Sequence, residues 1–127
     1  MSFTIFSNFR INSEENFIRM KDSYNSFKNA DIKEWIINFR GSYKLEAMKF
    51  LEDELGEKLT KFELNSNKGW FYDTKKIYNY ISTDYLLYWI EDHYCICDSN
   101  KLNSVVSEMK KNNLDYLGYS WFGLGTF

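Results

Sequence analysis

The sequence has no long apolar run and only two cysteines, and each shortage excludes a class of protein. No stretch approaches the roughly 20 apolar residues of a membrane-spanning helix, and the amino terminus lacks the basic-then-apolar layout of a signal peptide. These absences predict a cytoplasmic protein without a membrane span. Cys95 and Cys97 alone do not complete the ligand set of a structural zinc ion, so we interpret them as reduced core cysteines.

An excess of basic residues is also missing. The 16 Lys and Arg residues nearly balance the 18 Asp and Glu residues. They are also scattered, so no basic stripe is present to follow a nucleic-acid backbone. The chain lacks Gly-x-Gly-x-x-Gly and Gly-Lys-Ser/Thr phosphate loops. The sequence therefore has no motif that would indicate one of the common nucleotide-binding α/β domains. Aromatic residues, in contrast, make up 20% of the chain and predict a core or binding face rich in Tyr, Phe and Trp.

The apolar pattern predicts strands that alternate with helices within one domain of 127 residues. The predicted strands are Ser2–Phe6, Ile32–Asn38, Leu59–Leu64, Tyr85–Ile90 and Asp115–Trp121, with Tyr94–Cys97 as a further strand or extended segment. Predicted helices follow caps at Ser13, Ser42 and Asp98 or Ser99, another spans about Asp73–Ile81, and Gly56 ends the second. Such alternation is typical of parallel strands joined by crossovers. We therefore predict an α/β fold with a mostly parallel sheet and helices on both faces.

The run Asp84–His93 combines an apolar centre with an abrupt polar end. Residues 85–90 show no polar alternation, so we predict an interior strand that is buried on both faces and contributes its aromatic side chains to the core. Ligands of open α/β sheets collect at the carboxyl ends of strands, and this run ends there in three residues able to bind a metal. The alternative is a solvated strand end with an incidental histidine.

Three short motifs, and the order of the elements around them, resemble a known family. The motifs are Asn38-Phe39-Arg40-Gly41-Ser42 after the second predicted strand, Asn67-Lys68-Gly69 in a loop before a helix, and Ile90-Glu91-Asp92-His93. With the strand–helix order, they resemble the nucleotide-sugar-binding half of a GT-A glycosyltransferase of the large inverting, glycosyltransferase 2-like family. The resemblance covers nearly all of the chain but only about the first half of such an enzyme.

The resemblance implies a divalent metal ion, Mn²⁺ or Mg²⁺, at the end of the run described above. In the family a comparable strand ends in an acidic motif that holds the metal and the nucleotide diphosphate. Glu91, Asp92 and His93 stand in that place, so they are the predicted metal ligands, and Glu91 is also predicted to face the nucleotide. His93 replaces the final carboxylate, and imidazole suits transition metals better than magnesium.

The resemblance also implies a site for a nucleotide-diphosphate sugar. Nucleoside contacts are predicted for Ser7, Asn8 and Arg10, in the polar loop expected after the first strand, and for Asn38, which replaces the usual acidic residue. An Asn amide can still hydrogen-bond a base edge. Arg10, Arg40 and Lys68 are predicted to approach phosphate from loops at one edge of the sheet, with surface solvation as the alternative for each cation.

From the resemblance we expect a glycosyltransferase-like domain, of the hexosyltransferase type if active, that binds its donor but does not transfer sugar efficiently. The residues after Asp115 include no Asp, Glu or His to act as a general base. A glycan acceptor would need a pocket supplied by another segment. Trp121 and Phe122 remain open as core residues or as a stacking platform. The alternatives are a non-catalytic α/β binding or interaction module with the same layout and a generic nucleotide-binding domain.

Overall fold

The computed structural model of the protein describes residues 2–95 and 99–117. Strands and helices alternate along these residues in the order β1 (Phe3–Arg10), α1 (Glu14–Phe27), β2 (Ile32–Arg40), α2 (Lys44–Leu55), β3 (Leu59–Phe62), α3 (Trp70–Ile77), β4 (Leu86–Tyr88) and α4 (Ser99–Lys111). Short 3₁₀ turns follow α2 at Gly56–Lys58 and α3 at Tyr78–Tyr80. The strands form one all-parallel sheet in the order β3-β2-β1-β4. The predicted α/β fold with a parallel sheet is therefore confirmed.

Helices lie on both faces of this sheet, as the alternation of elements predicted. Successive side chains of a strand point to opposite faces, so Ile5 and Phe6 of β1 enter different clusters. The larger cluster packs the sheet against α1, α2 and α4, and the smaller cluster packs it against Ile77 of α3. Most of the apolar stabilisation therefore lies on the first face, and the second face has room for polar groups.

Trp89 is the aromatic residue that joins β4 to the larger cluster. Its ring centroid lies 4.7 Å from that of Phe9, 5.2 Å from that of Phe27 and 5.7 Å from that of Trp35, each in an edge-to-face arrangement. Such pairs add to the stabilisation that burial alone supplies. The indole Nε1 donates to Ser23 Oγ at 2.8 Å, so the only polar atom of the ring is satisfied in the core.

The prediction that residues 85–90 form a strand buried on both faces is wrong, and in the sheet that the structure describes this strand is not interior. Within the described residues β4 is a short edge strand that pairs only with β1, and the interior strands are β1 and β2. Leu86, Tyr88 and Ile90 are exposed, whereas Trp89 is buried. The strand does alternate between a buried and an exposed face, but apolar residues occupy both, so the sequence pattern concealed the alternation.

The first strand is longer than predicted, which moves three candidate residues out of a loop. Ser7, Asn8 and Arg10 belong to β1 and stand in register with Ile37, Asn38 and Arg40 of β2. The polar loop predicted over residues 7–12 is therefore wrong for residues 7–10. Hydrogen bonds across the sheet, together with the buried Phe9 side chain, keep this stretch in the strand.

Helix boundaries agree with the sequence in part. Ser13 caps α1, its Oγ accepting from Asn16 N at 3.1 Å, as predicted. Ser42 does not cap α2; the cap position is Tyr43, and the Ser42 hydroxyl donates to Asn12 O at 2.8 Å. Gly56 ends α2 with a positive φ of 55°, a conformation that glycine adopts readily.

Some predictions fall partly or wholly outside the described residues. Tyr94 and Cys95 are not in a strand, nor are residues 115–117. Ile96, Cys97 and Asp98 lie outside the described residues, as do residues 118–127 with Trp121 and Phe122. In the part of the chain that is described, none of the helices combines the length and apolarity needed to cross a bilayer.

A carboxylate near the amino ends of the strands ties the entry of β4 to the sheet. Glu34 Oε1 accepts hydrogen bonds from the Thr4 hydroxyl at 2.8 Å, from Ser82 N at 2.7 Å and from the Ser82 hydroxyl at 2.8 Å. Burial opposes the ionised form, but the bonds from Ser82 and Thr4 outweigh it and hold the pKa of Glu34 below its ordinary value. The ionised carboxylate therefore stabilises the fold.

We expect Glu34→Gln to lower the free energy of unfolding at pH 7 by about 1 kcal/mol, the usual net size of a hydrogen bond. A lowered folded-state pKa means that the stabilisation is present above the unfolded pKa of about 4.3 and is lost as the pH falls through the folded-state value. The difference between variant and parent should therefore shrink in acid. Urea unfolding at pH 7 and near pH 3 measures it. Glu57→Gln, at an exposed position, is the control; an unchanged difference at both pH values would contradict the assignment.

Candidate functional site

Two arginines stand side by side at the carboxyl edge of the sheet. The register of β1 and β2 ends with Arg10 opposite Arg40, and parallel neighbours lie about 4.8 Å apart. Like charges at such a spacing repel each other, which lowers stability unless something compensates. Ligands of open α/β sheets bind at this edge. The paired arginines are therefore the first sign of a site for an anion.

A cleft of about 250 Å³ opens where these strands end. Its described lining is Arg10, Asn12, Phe39, Arg40, Gly41, Lys44 and Asn65. This lining contains three cations and, among the described residues, no Asp, Glu or His. The third cation, Lys44, lies in the first turn of α2, and its Nζ is 3.4 Å from Glu63 Oε1 at the surface. The cleft therefore carries an excess of positive charge.

Gly41 holds the two loops at the base of this cleft together. Its φ is 102°, and a Cβ added there would lie 2.2 Å from the Ile11 carbonyl oxygen. Tyr43 N donates to the same oxygen at 2.8 Å, so the loop after β2 lies directly on the loop after β1. Any larger residue at position 41 would force the loops apart and change the position of Arg40 and Lys44.

Arg40 is held in place by a buried amide. Its Nε donates to Asn8 Oδ1 at 2.9 Å, and Asn38 Nδ2 donates to the same oxygen at 3.1 Å. The amide nitrogen of Asn8 donates to Thr74 Oγ1 at 2.7 Å and to Trp70 O at 3.3 Å, both on α3. These contacts fix which way the Asn8 amide faces. Arg40 is thus anchored through Nε, and its terminal nitrogens have no hydrogen-bond partner among the described residues.

Asn38, predicted to recognise a base, is engaged with the main chain instead. Its Nδ2 donates to Leu64 O at 2.9 Å, and its Oδ1 accepts from Leu64 N at 2.7 Å. These bonds continue the pairing of β2 and β3 beyond Phe62, the last paired residue of β3. The side chain is fully buried. Asn38 therefore joins strands, and contact with a base would require the surrounding residues to move.

Ser7 and Lys68 also lie away from the cleft. Ser7 is buried in β1, and its hydroxyl donates to the carbonyl oxygen of Trp89. Lys68 lies in the loop before α3, with its Nζ 4.7 Å from the centroid of the Tyr72 ring, and Lys76 approaches the same ring at 4.6 Å. Cation–π contact accounts for this placement. Of the predicted nucleotide-binding residues, only Arg10 and Arg40 line the cleft, and Asn8 supports Arg40 from beneath.

The predicted metal ligands lie on the turn after β4. Glu91 Oε1 accepts from the backbone N–H of Arg10 at 3.2 Å, which places its carboxylate beside the cleft. His93 Nε2 and Asp92 Oδ1 are 3.9 Å apart, and their side chains are 70% and 50% exposed. Across residues 2–95 and 99–117, no group of three or more His, Cys, Asp or Glu side chains is arranged to hold a metal ion. The arrangement of these donors does not fit the metal site that the resemblance implies.

Lys44 and Asp73 were not among the site residues predicted from the sequence. Asp73 is 2% exposed; its Oδ2 accepts from Ser66 N at 2.9 Å, and its Oδ1 has no hydrogen-bond partner among the described residues. The Ser66 hydroxyl outweighs burial and, with the charges of Lys76 and Arg40, holds the pKa of Asp73 below its usual range. A signal for Lys44 was present, because a cation in the first turn opposes the helix dipole.

Comparison with known proteins found no relative of this chain. The chain matches no family model, no curated protein and no solved structure.

We expect Asn38→Ala to lower the free energy of unfolding by about 2–3 kcal/mol, because both main-chain groups of Leu64 lose their partner in a buried place. Chemical denaturation of the purified protein measures this. Asn67→Ala, at an exposed loop position, is the matched control and should change stability by less than about 0.5 kcal/mol. Equal effects of the two substitutions would show that the Asn38 bonds do not hold β3 in place.

Proposed function

We propose that this chain binds a nucleoside diphosphate sugar at the carboxyl edge of its sheet, as the donor-binding domain of a glycosyltransferase. The observation that carries the proposal is the cleft lined by Arg10, Arg40 and Lys44. A diphosphate is the part of such a donor that concentrates negative charge. Arginine binds phosphate oxygens through parallel N–H bonds, and lysine adds a mobile point charge.

The switch point of the sheet lies next to this cleft. In the strand order β3-β2-β1-β4, the direction of chain connection reverses between β1 and β4, where ligands of α/β sheets bind, whereas the cleft lies at the ends of β1 and β2. Arg10 ends β1, and Glu91 follows β4, the neighbouring strand. The backbone N–H of Arg10 donates a hydrogen bond to Glu91 Oε1, which joins the ends of the two strands. With the diphosphate in the cleft, a hydroxyl group of the nucleoside or sugar that extends toward β4 would meet the Glu91 carboxylate as a hydrogen-bond acceptor.

A second candidate is donor binding without transfer. Inverting transfer requires a general base within hydrogen-bond reach of the acceptor hydroxyl. The described lining of the cleft offers no carboxylate or imidazole. The nearby carboxylates of Glu63 and Glu91 already face Lys44 and the backbone of Arg10. This observation favours a binding module over an enzyme, with any base supplied from outside the described cleft.

Lys44→Ala should weaken binding of uridine or guanosine diphosphate about tenfold, which corresponds to about 1.4 kcal/mol. The reason is the loss of a cation from the cleft. Thermal melting with each nucleotide measures the effect, because ligand at about a hundred times its Kd adds roughly 2.7 kcal/mol of stability.

Lys49→Ala is the matched control for this measurement. Lys49 lies on the same helix and is paired with Asp53 at 3.2 Å, much as Lys44 is paired with Glu63, but it does not line the cleft. Exposed pairs of this kind contribute little to stability, so both variants should melt close to the parent without ligand. If the two substitutions changed nucleotide binding equally, the diphosphate would lie elsewhere.

Labelled nucleotide sugars and a panel of glycan acceptors distinguish the two candidates. We expect the protein to bind donor and to give no acceptor-dependent product, because no base lines the described cleft. Turnover of about 1 per second, within the ordinary range of enzymes, would establish sugar transfer and reject the binding module.

A further inference from the structure

A protein can neutralise a diphosphate in two ways. Carboxylates can hold a divalent cation that bridges the phosphate oxygens, or cationic side chains can contact those oxygens directly. The two routes require opposite charges in the site. The charges around the cleft of this protein therefore indicate which route it uses.

The acidic residues near the cleft are not arranged to hold a divalent cation. Glu91, Asp92 and His93 are consecutive residues on a turn, and the last two side chains point largely into solvent, with 3.9 Å between their nearest polar atoms. Glu91 directs an oxygen to the backbone N–H of Arg10. A metal ion beside Glu91 would also be repelled by the positive charge of the adjacent cleft.

The cationic side chains, in contrast, are placed to contact phosphate oxygens directly. Arg10 and Arg40 are brought together by strand register, and Lys44 reaches the same cleft from the start of α2. Arg40 is anchored through Nε by the buried Asn8 amide, so its terminal nitrogens are oriented before any ligand arrives. An oriented group loses less entropy on binding than a free side chain. The repulsion between the two arginines is relieved when an anion lies between them.

We infer that the cleft binds a diphosphate without a divalent metal ion, with Arg10, Arg40 and Lys44 neutralising its charge. The inference rests on the proposed function for the identity of the ligand, but its charge logic applies to any diphosphate. Two consequences follow from the physics of the contacts. Affinity should fall as ionic strength rises, because exposed cations are screened. The affinity for the diphosphate should not change when a chelator is added.

The test is titration calorimetry with inorganic pyrophosphate, uridine diphosphate and guanosine diphosphate, each in EDTA and again in MnCl₂ or MgCl₂. We expect pyrophosphate and at least one nucleotide to bind in EDTA, with Kd values within about twofold of those in metal. Arg40→Lys, which keeps the charge and removes the planar fork, should weaken binding about tenfold in EDTA. The double substitution Asp92→Ala, His93→Ala should leave binding unchanged.

Arg19→Ala is the control for the arginine variants. Arg19 is an exposed residue of α1, paired with Glu15 and outside the cleft, so its removal should not change affinity. Far-ultraviolet circular dichroism and melting without ligand establish that each variant is folded. Arg40→Lys places a methylene group where Arg40 has Nε and so also removes the hydrogen bond to Asn8 Oδ1. Arg10→Ala, at an exposed position, therefore provides a second cleft variant that leaves the buried amides intact.

The outcomes separate this inference from the proposed function. Binding of both ligand classes only with metal, abolished by the Asp92 and His93 substitutions, would overturn metal independence and leave nucleotide binding standing. Pyrophosphate binding in EDTA that no nucleotide improves on would support the cationic site and reject a nucleotide as its ligand. Failure of every ligand in every buffer would overturn both.

Discussion

The parallel pairing of β1 with β2 is the constraint on which the rest of the structure depends. It runs in register from Thr4 opposite Glu34 to Arg10 opposite Arg40. One face of this pair presents large apolar side chains to three helices. The other face carries matched pairs along its length: a hydroxyl with a carboxylate, then Phe6 with Ile36, then two amides and finally two guanidinium groups. The backbone positions of Thr4, Glu34, the two Asn residues and the two Arg residues follow from that register.

The matched pairs divide stability and binding between the two ends of one face. At the amino end, Glu34 accepts hydrogen bonds that attach the chain entering β4. In the middle, a small apolar cluster holds α3. Toward the carboxyl end, Asn38 donates to Asn8, Asn8 donates to α3, and Asn38 also bonds to Leu64, two residues after β3. These buried bonds hold Arg40 beside Arg10, although the like charges of the two arginines work against stability.

That repulsion is a useful guide to function. Two arginines placed directly opposite each other lower stability, although the carboxylates of Glu91 and Asp73 lie near Arg10 and Arg40. Lys44 breaks a second local rule, since a cation in the first turn of a helix opposes its dipole. Both departures occur at one cleft, and an anion would compensate both at once. The acidic run after β4, which the resemblance to glycosyltransferases made the centre of the predicted site, shows no comparable arrangement.

The amino-acid sequence by itself determined the elements whose cause is local. The alternation of strands and helices, the Ser13 cap and the positive φ at Gly56 follow from nearby side chains, and so they could be predicted. Arg10 and Arg40 could be named as candidates from the expected edge of the sheet. Only the tertiary structure decided that β4 lies at the edge of the described sheet and that the Asn38 amide is hydrogen-bonded to the main chain of Leu64. It also decided that Lys44 lines the same cleft as the two arginines. These features depend on strand order and on contacts between residues far apart in the chain, and a pattern of neighbouring residues carries no information about which distant segment will meet it.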